Sequence, residues 1–210
     1  MRKMVRGNNG FTLLEAVIVI SIVAILSAIL IPSIEKLINS TKISHAQNET
    51  EVIALGIVSF FKDTGRWPVA RARDGKNRIY LLHSPGNVPS YNPSVRSSRR
   101  WKASGAGAWR RNRVDEFHNH LIENNPQGRN RWKYPESGEL AWKGPYLQDV
   151  NPDPWGNHYS CNVRGLWESR WSDAAVWVWS AGPDGEADTP IKQVRSSASL
   201  QDDDIGTRIK

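Results

Sequence analysis

The first 64 residues contain two patterns of apolar and polar positions. Residues 11–31 form an almost unbroken apolar run in which Glu15 is the single charged side chain. A helix rises about 1.5 Å per residue, so about 20 residues suffice to cross the hydrocarbon layer of a membrane. The run therefore predicts a membrane-spanning half-helix over residues 11–32. Pro32, which lacks a backbone donor, stands at its end.

From Ser33 onward the apolar residues recur at steps of three and four, which is typical of an amphipathic helix. Gly65 is a candidate C-cap and Pro68 follows it, so this half is expected to cover residues 33–64. One of its faces should pack on a folded domain. The residues predicted to point inward are Ile34, Leu37, Ile38, Ala46, Ile53, Ile57 and Phe60.

The rest of the chain divides into an irregular middle and an end rich in strand patterns. Proline and glycine interrupt residues 65–140, which predicts a long loop over residues 69–113 and a short helix over residues 114–124. Apolar and polar residues alternate over 158–163, and 174–179 is a second strand candidate, with a hairpin connection over residues 165–173. These segments predict a small antiparallel sheet that packs on the long helix. The expected fold class is α+β.

Positive charge is concentrated in the irregular middle. The 210 residues contain 28 Lys and Arg against 21 Asp and Glu, a net charge of +7. Residues 95–133 alone hold ten basic and three acidic residues, and Trp101, Trp109 and Trp132 stand among the arginines. We therefore assign residues 65–140 as a variable basic Trp/Arg-rich insertion. Such a segment either binds nucleic acid or an anionic surface, or is a solvated insertion, and the second interpretation is favoured.

Glu15 and the residues ahead of it predict processing in a membrane. The leader contains Arg2, Lys3 and Arg6 and no acid, which places it on the cytoplasmic side and the rest of the chain outside. A carboxylate within hydrocarbon is costly, so Glu15 predicts a function. If the chain were cut after Gly10, Glu15 would lie one helical turn from a free α-amine that it could neutralise. A signal peptide or a plain membrane anchor remain the alternatives.

The sequence GFTLLE at residues 10–15, with its basic leader and apolar run, resembles the N-terminus of type IV pilins. The resemblance implies that residues 1–10 are a leader peptide. It implies that prepilin peptidase cuts between Gly10 and Phe11 and methylates the amine of Phe11. It also implies that Glu15 meets the amine of an adjacent subunit when subunits assemble into a helical filament.

The last third of the chain, 141–210, resembles the head of the major pseudopilin of type II secretion. The matching motifs are GPYL at 144–147, DPWGN at 153–157, SAGPDG at 180–185 and DDDI at 202–205. In that family the last two motifs form a calcium site. The resemblance therefore implies a C-terminal calcium loop with ligands from Ser180 (its carbonyl), Asp184, Asp202 and Asp203.

The chemistry of these residues suits calcium without the resemblance. Calcium takes six to eight oxygen ligands, and carboxylates on a flexible loop supply them. Asp184 and Asp188 lie in a glycine-containing turn, and the adjacent Asp202, Asp203 and Asp204 would repel one another without a cation. The loop between these two groups, residues 189–201, could fold back and bring them together. Which of the three would bind is left open, and an exposed acidic tail is the alternative.

Together these features predict a structural subunit rather than an enzyme, since no nucleophile–base arrangement or phosphate loop is recognisable. The expected assembly is a type II secretion pseudopilus or a related filament in the periplasm or at the cell surface. The chain would cross the bacterial inner membrane once, with its head in the periplasm. Expected partners are its own copies, prepilin peptidase, the inner-membrane assembly platform, minor pseudopilins and the membrane.

Two alternatives stay open. In the first, the chain is a minor pilin or competence-type subunit that binds DNA or an anionic surface through the insertion, although nucleic acid is the less favoured partner. In the second, it is a single-pass anchored protein that never polymerises.

Overall fold

The structure, a computed structural model, describes residues 11–70, 76, 79–89, 114–168, 172–191 and 195–210. Gly10, Trp101 and Trp109 lie outside the described residues, so the predictions made on them stay predictions. The chain divides into two compact units, Met1–Thr41 and Lys42–Lys210. We call the second unit the head.

Helix α1 covers Leu13–Thr64 and continues through Pro32. The predicted long helix is therefore confirmed, with a start at Leu13 rather than at residue 11. It ends at the predicted C-cap, since Gly65 adopts φ +65° and its N–H bonds to the carbonyl of Phe61 at 2.9 Å. A left-handed residue at this position is most easily glycine.

The first part of α1 exposes its apolar side chains. It is long and apolar enough to cross a membrane, and its most apolar stretch has no buried residue. Ile34, Leu37 and Ile38 were predicted to face a folded domain, but they are 52%, 67% and 50% exposed. That prediction was wrong because these residues belong to the first unit, and the buried face of α1 begins at Ala46.

Five short strands form one mixed sheet in the order β2-β1-β3-β4-β5. Strands β1 and β2 run parallel, with Leu81 opposite Val114, and the other pairs are antiparallel. The α+β class is confirmed. The sheet is not purely antiparallel as predicted, because it also includes the parallel pair β1 and β2, whose residues were assigned to the insertion. The strands are β1 (Leu81–His83), β2 (Val114–Glu116), β3 (Ser160–Cys161), β4 (Trp177–Ser180) and β5 (Ile205–Arg208).

Short helices complete the described part of the head. Helix α2 (Phe117–Leu121) is shorter than the predicted helix over 114–124, because the first three residues of that segment join the sheet as β2. Helix α3 (Arg164–Trp167) occupies the start of the predicted hairpin connection. Two 3₁₀ turns lie at Pro126–Gly128 and Asn130–Trp132.

The core lies between α1 and the sheet. Ile53, Ile57 and Phe60 on α1 are at most 3% exposed and belong to one apolar cluster with Cys161 and Val178 of the sheet. Burying side chains of this size stabilises the fold by about 1.5–3 kcal/mol each. The predicted inward face of α1 is thus confirmed from Ala46 onward.

Hydrogen bonds fix the sheet on the helix. The Tyr159 hydroxyl donates to the Glu49 carboxylate of α1. The hydroxyls of Thr50 on α1 and Thr207 on β5 lie 3.0 Å apart. Burial and the Glu49 carboxylate raise the pKa of Tyr159 far above its ordinary value. The phenol therefore stays protonated and remains a donor.

The Asp115 carboxylate organises the β2 edge of the sheet. It accepts a hydrogen bond from buried His120 at 2.8 Å, and the other ring nitrogen of His120 lies 2.7 Å from the Tyr134 hydroxyl. Burial opposes ionisation of Asp115, but His120 and the hydrogen bonds outweigh it and lower the carboxyl pKa. The other donors to Asp115 are the N–H groups of Glu116 (2.9 Å) and Gln127 (2.6 Å) and the Asn119 amide (2.7 Å).

Two buried histidines lie side by side at β1 and just before β3. The ring centroids of His83 and His158 are 5.5 Å apart. His158 Nδ1 lies 3.0 Å from the Ser160 hydroxyl, and His83 Nδ1 lies 2.8 Å from the Ser84 carbonyl. Burial, and then the neighbouring His83, lower the pKa of His158 to about 3. His158 is therefore neutral at physiological pH.

Candidate functional site

Two groups of residues are candidates for function, and the first is at the start of α1. Glu15 Oε2 accepts hydrogen bonds from the Thr12 N–H at 2.9 Å and from the Thr12 hydroxyl at 2.8 Å. In return, the Glu15 N–H donates to Thr12 Oγ1 at 3.2 Å. This reciprocal pair is a capping box. Its sequence signature, threonine with glutamate three residues on, was present at residues 12–15 but was not recognised in the sequence analysis.

The capping box leaves Phe11 outside the helix. Phe11 is 81% exposed, and α1 begins at Leu13. In the single chain the Glu15 carboxylate is thus engaged with its own helix start. Its predicted contact with the amine of an adjacent subunit stays a prediction, as does cleavage after Gly10.

The second group is an acidic cluster at one end of the sheet. Carboxylate oxygens of Asp184, Asp188 and Asp203 all lie within 4.8 Å of one another. Asp184 and Asp188 follow β4, while Asp203 precedes β5. Because β4 and β5 are antiparallel, with Ser180 opposite Ile205, the loops after one and before the other share one end of the sheet.

Gly182 allows the two acidic segments to approach each other. It adopts φ +66°, and a Cβ built there would lie 2.4 Å from the Asp203 carbonyl oxygen. The Asp184 N–H donates to Asp203 Oδ2 at 3.3 Å. A residue other than glycine would therefore separate the segments that carry the cluster.

Thr189 closes the loop that joins the two acidic segments. Its N–H donates to Asp204 Oδ2 at 2.5 Å, and its hydroxyl accepts from the Gln201 N–H at 3.0 Å. The predicted return of this loop, which brings both acidic groups together, is confirmed at these ends.

Asp153 anchors the other side of the turn after β4. Its Oδ2 accepts from the Ser180 hydroxyl at 2.5 Å, and its Oδ1 accepts from the N–H groups of Trp155 and Asn157 at 3.0 and 2.8 Å. Ser180 also accepts from the Gly182 N–H at 3.1 Å. The DPWGN motif therefore supports the turn that carries Asp184.

The electrostatics of the cluster favour a cation. Burial and then neighbouring carboxylates raise the pKa values of Asp188 and Asp203, with an opposing backbone hydrogen bond at Asp203. Burial raises the pKa of Asp204 to about 7, and Asp188 and Asp203 add to it. Among the described residues, Asp203 Oδ1 and Asp204 Oδ1 are buried without a hydrogen-bond partner. A positive ion would offset this repulsion and supply partners for such oxygens.

The predicted ligands fall partly within the cluster. Asp184 and Asp203 are in it together with Asp188, which the sequence analysis placed in the same turn as Asp184 but did not select as a ligand. Asp202 is exposed, adopts φ +51° and lies outside the group of three. Ser180 is fully buried with its hydroxyl on Asp153, and the role predicted for its carbonyl stays a prediction.

Comparison with known proteins gives two family matches on separate segments. Residues 5–31 match the prokaryotic N-terminal methylation motif. Residues 123–195 match protein G of the type II secretion system (T2SS). The chain is also similar to the type IV major pilin protein PilA of Myxococcus xanthus (strain DK1622), with 34% identity over 88 residues, which is 42% of this chain and 38% of that protein. No solved structure gives a significant match.

An exposed apolar helix with a methylation motif, continued into an α+β head, defines the class: the chain is a type IV pilin-like protein. Within the head, residues 123–195 are similar to protein G of the type II secretion system. The chain spans about 38% of the length of the curated pilin that it matches.

Proposed function

We propose that this chain is the structural subunit of a pilus-like filament, most specifically a type II secretion pseudopilus. The observation that supports it is the presence in one chain of the methylation motif on an exposed apolar helix and of a head similar to protein G. The families that it matches are structural and not enzymatic. The filament would be held together by the apolar halves of the helices.

The proposed life cycle starts in the bacterial inner membrane, with residues 1–10 in the cytoplasm and the head in the periplasm. Prepilin peptidase removes the leader between Gly10 and Phe11 and methylates Phe11. Subunits then pass from the membrane to the filament through the inner-membrane assembly platform, together with minor pseudopilins. Glu15 pairs with the amine of a neighbouring subunit, which removes two unpaired charges from an apolar environment.

The test of processing is the intact mass and the N-terminal peptide of the protein extracted from membranes. We expect a chain that starts at N-methylated Phe11. An intact Met1, or a cut beyond Ile31, would contradict the proposal and indicate an anchor or a signal peptide.

We further propose that the acidic cluster binds calcium as a structural ion. The available ligands suit calcium, since three carboxylates converge and two buried carboxylate oxygens lack hydrogen-bond partners among the described residues. Asp184, Asp188 and Asp203 would hold the ion, and the Ser180 carbonyl and Asp202 are further candidates from the sequence. The ion would fix the loop between Thr189 and Asp204 on the end of the sheet.

Calcium should raise the unfolding temperature of the full chain in detergent. At a calcium concentration one hundred times the dissociation constant, the free energy of unfolding should rise by about 2.7 kcal/mol. The Asp188→Asn variant should lose this gain. Glu186→Gln, which removes a negative charge from the same exposed turn but no ligand, should keep it. An unfolding temperature that calcium leaves unchanged would remove the metal site.

The alternative, a minor or competence-type subunit that binds DNA, rests on the basic segment. Residues 90–113 lie outside the described residues. Of the three tryptophans noted in residues 95–133, Trp132 is described and lies half-buried on a 3₁₀ turn. No observation on the described residues favours this alternative over the filament subunit.

A further inference from the structure

The pair of strands β4 and β5 has exposed side chains of opposite charge at its two ends. The strands are antiparallel, so Trp177 lies opposite Arg208 at one end of the pair. Ser180 lies opposite Ile205 at the other end. A strand rises about 3.3 Å per residue, so the three steps from Trp177 to Ser180 separate the two ends by about 10 Å.

The basic end consists of Arg195, Arg208 and Lys210, and all three are exposed. The Arg195 carbonyl accepts from the Ala175 N–H at 3.3 Å, just ahead of β4. The Lys210 carbonyl accepts from the Val176 N–H at 3.1 Å, so it lies at the same end of the strand. None of the three basic side chains has a carboxylate partner among the described residues. Their positive charge therefore faces solvent.

The acidic end consists of Glu186 and Asp202, which are exposed beside the acidic cluster. Neither belongs to the three carboxylates that converge, and neither has an ion-pair partner in the part of the chain that the structure describes. Together, residues 184–188 and 202–204 hold six carboxyl groups and no basic residue. A bound calcium ion would bring two positive charges against these six groups. This end therefore stays negative when the proposed cation site is filled.

Two separate patches of opposite sign make the head complementary to a second copy of itself. At the basic end Asp173, which precedes β4, offsets one of the three positive charges, so both ends keep an excess of one sign. Strand β5 is an edge of the sheet, which leaves both ends open to an approaching molecule. Complementary patches of this kind steer association and fix the orientation of the two partners.

We propose that the basic end of one head docks on the acidic end of the head of a neighbouring subunit. The contact joins two different patches, so each copy keeps one patch of each kind for a further copy. Such heterologous contacts produce open helical filaments when the rotation between copies does not close a ring. The inference rests on the proposed function as a filament subunit. It adds a contact between heads to the packing of the apolar half-helices.

The test is sedimentation velocity of the full chain in detergent, which covers the apolar half-helices and leaves the heads to associate. We expect self-association at low salt that is lost at about 1 M salt, where the screening length is about 3 Å. The acidic-end variant carries Glu186→Lys and Asp202→Asn. The basic-end variant carries Arg195→Glu and Lys210→Glu. Each variant should self-associate about fivefold more weakly than the natural chain.

Mixing the two variants tests the orientation of the contact. The acidic-end variant keeps its basic end, and the basic-end variant keeps its acidic end. An equimolar mixture should therefore form one-to-one dimers with about the affinity of the natural chain, although each variant alone associates weakly. A contact between two identical patches cannot give this result.

Glu139→Lys and Arg131→Glu are the matched controls. Both side chains are exposed, lie outside the two ends and have no ion pair among the described residues. Each control should associate as the natural chain does. Lys210→Glu also removes a hydrogen bond from Lys210 Nζ to the Gly165 carbonyl at 2.9 Å. Arg195→Glu alone keeps that bond and should still weaken association, by a smaller factor.

A natural chain that stays monomeric at low salt would overturn the proposal. So would a mixture of the two variants that associates no better than either variant alone, or a control that loses as much association as they do. An intact Met1 in the processing experiment would contradict the proposed function instead, which is a separate result.

Discussion

Helix α1 runs through two regions of this protein in which isoleucine side chains are exposed to very different degrees. In the first unit Ile20 and Ile29 are 67% and 64% exposed, whereas in the head Ile53 and Ile57 are 3% and 0% exposed. Both stretches belong to α1, so helix geometry does not explain the difference. The difference lies in what surrounds the side chains. The head supplies its own apolar partners, and the first unit needs a membrane or other subunits to supply them.

The largest expected effect separates the two regions directly. Ile57→Ala should lower the free energy of unfolding of the head by about 2–5 kcal/mol, because it removes a fully buried side chain and leaves a cavity. Ile25→Ala, whose side chain is 61% exposed, should leave it unchanged. All ten tryptophans lie at or beyond Trp67, so their fluorescence during urea unfolding in detergent reports on the head. Equal losses in both variants would contradict the division of α1 into two regions.

A smaller effect concerns two glycines of the head with the same backbone conformation. Gly182 and Gly128 have φ +66° and +64°, but only Gly182 has a close neighbour where a Cβ would be placed. Both alanine variants should carry the strain of a left-handed residue. In Gly182→Ala the free energy of unfolding should fall by a further 1–3 kcal/mol or so, because the added methyl group overpacks against Asp203. Urea unfolding of the two variants measures this difference, and equal stability would show that the close approach at Asp203 is not needed.

The smallest effect is a dependence on pH that should be confined to the head. The apolar half-helix has no ionisable side chain between Glu15 and Glu35. In the head, burial lowers the pKa of His158 from 6.5 to about 3, so the unfolded state binds more protons within that interval. His158 therefore contributes a loss of stability as the pH falls below about 6.5, on the order of 1 kcal/mol between pH 7 and pH 5. Asp204, whose pKa burial raises to about 7, binds its proton more tightly in the folded state and acts in the opposite direction over this interval.

His158→Gln should reduce this acid-dependent loss, as measured by urea unfolding at both pH values. The control is His118→Gln, because the His118 side chain is 39% exposed and is not part of the buried pair. A loss that is the same in His158→Gln as in the natural chain would assign the pH dependence to other groups.

The sequence predicted what depends on short-range patterns. The long helix, its C-cap at Gly65 and the inward face through Ile53, Ile57 and Phe60 follow from periodicity and from one glycine. The return of the loop between Thr189 and Asp204 followed from the motifs on either side of it.

The sequence did not predict what depends on pairing between distant segments. Strands β1 and β2 have three residues each and lie in a segment interrupted by proline and glycine, so no alternation was visible. Strand β5 followed three acidic residues that were interpreted as a loop. Asp188 was placed in the acidic turn but not chosen as a ligand, because the sequence does not show which of these carboxylates converge.

The bonds around Asp115 have a consequence for colloidal behaviour. Strand β2 is an edge of the sheet, and an open edge is a template on which a strand of another molecule can pair. Here the Glu116 N–H is already held by the Asp115 carboxylate, which also receives the Gln127 N–H from the adjoining 3₁₀ turn. A foreign strand would have to displace charge-assisted bonds at this edge. Pairing of this edge with a strand of a neighbouring head is therefore disfavoured.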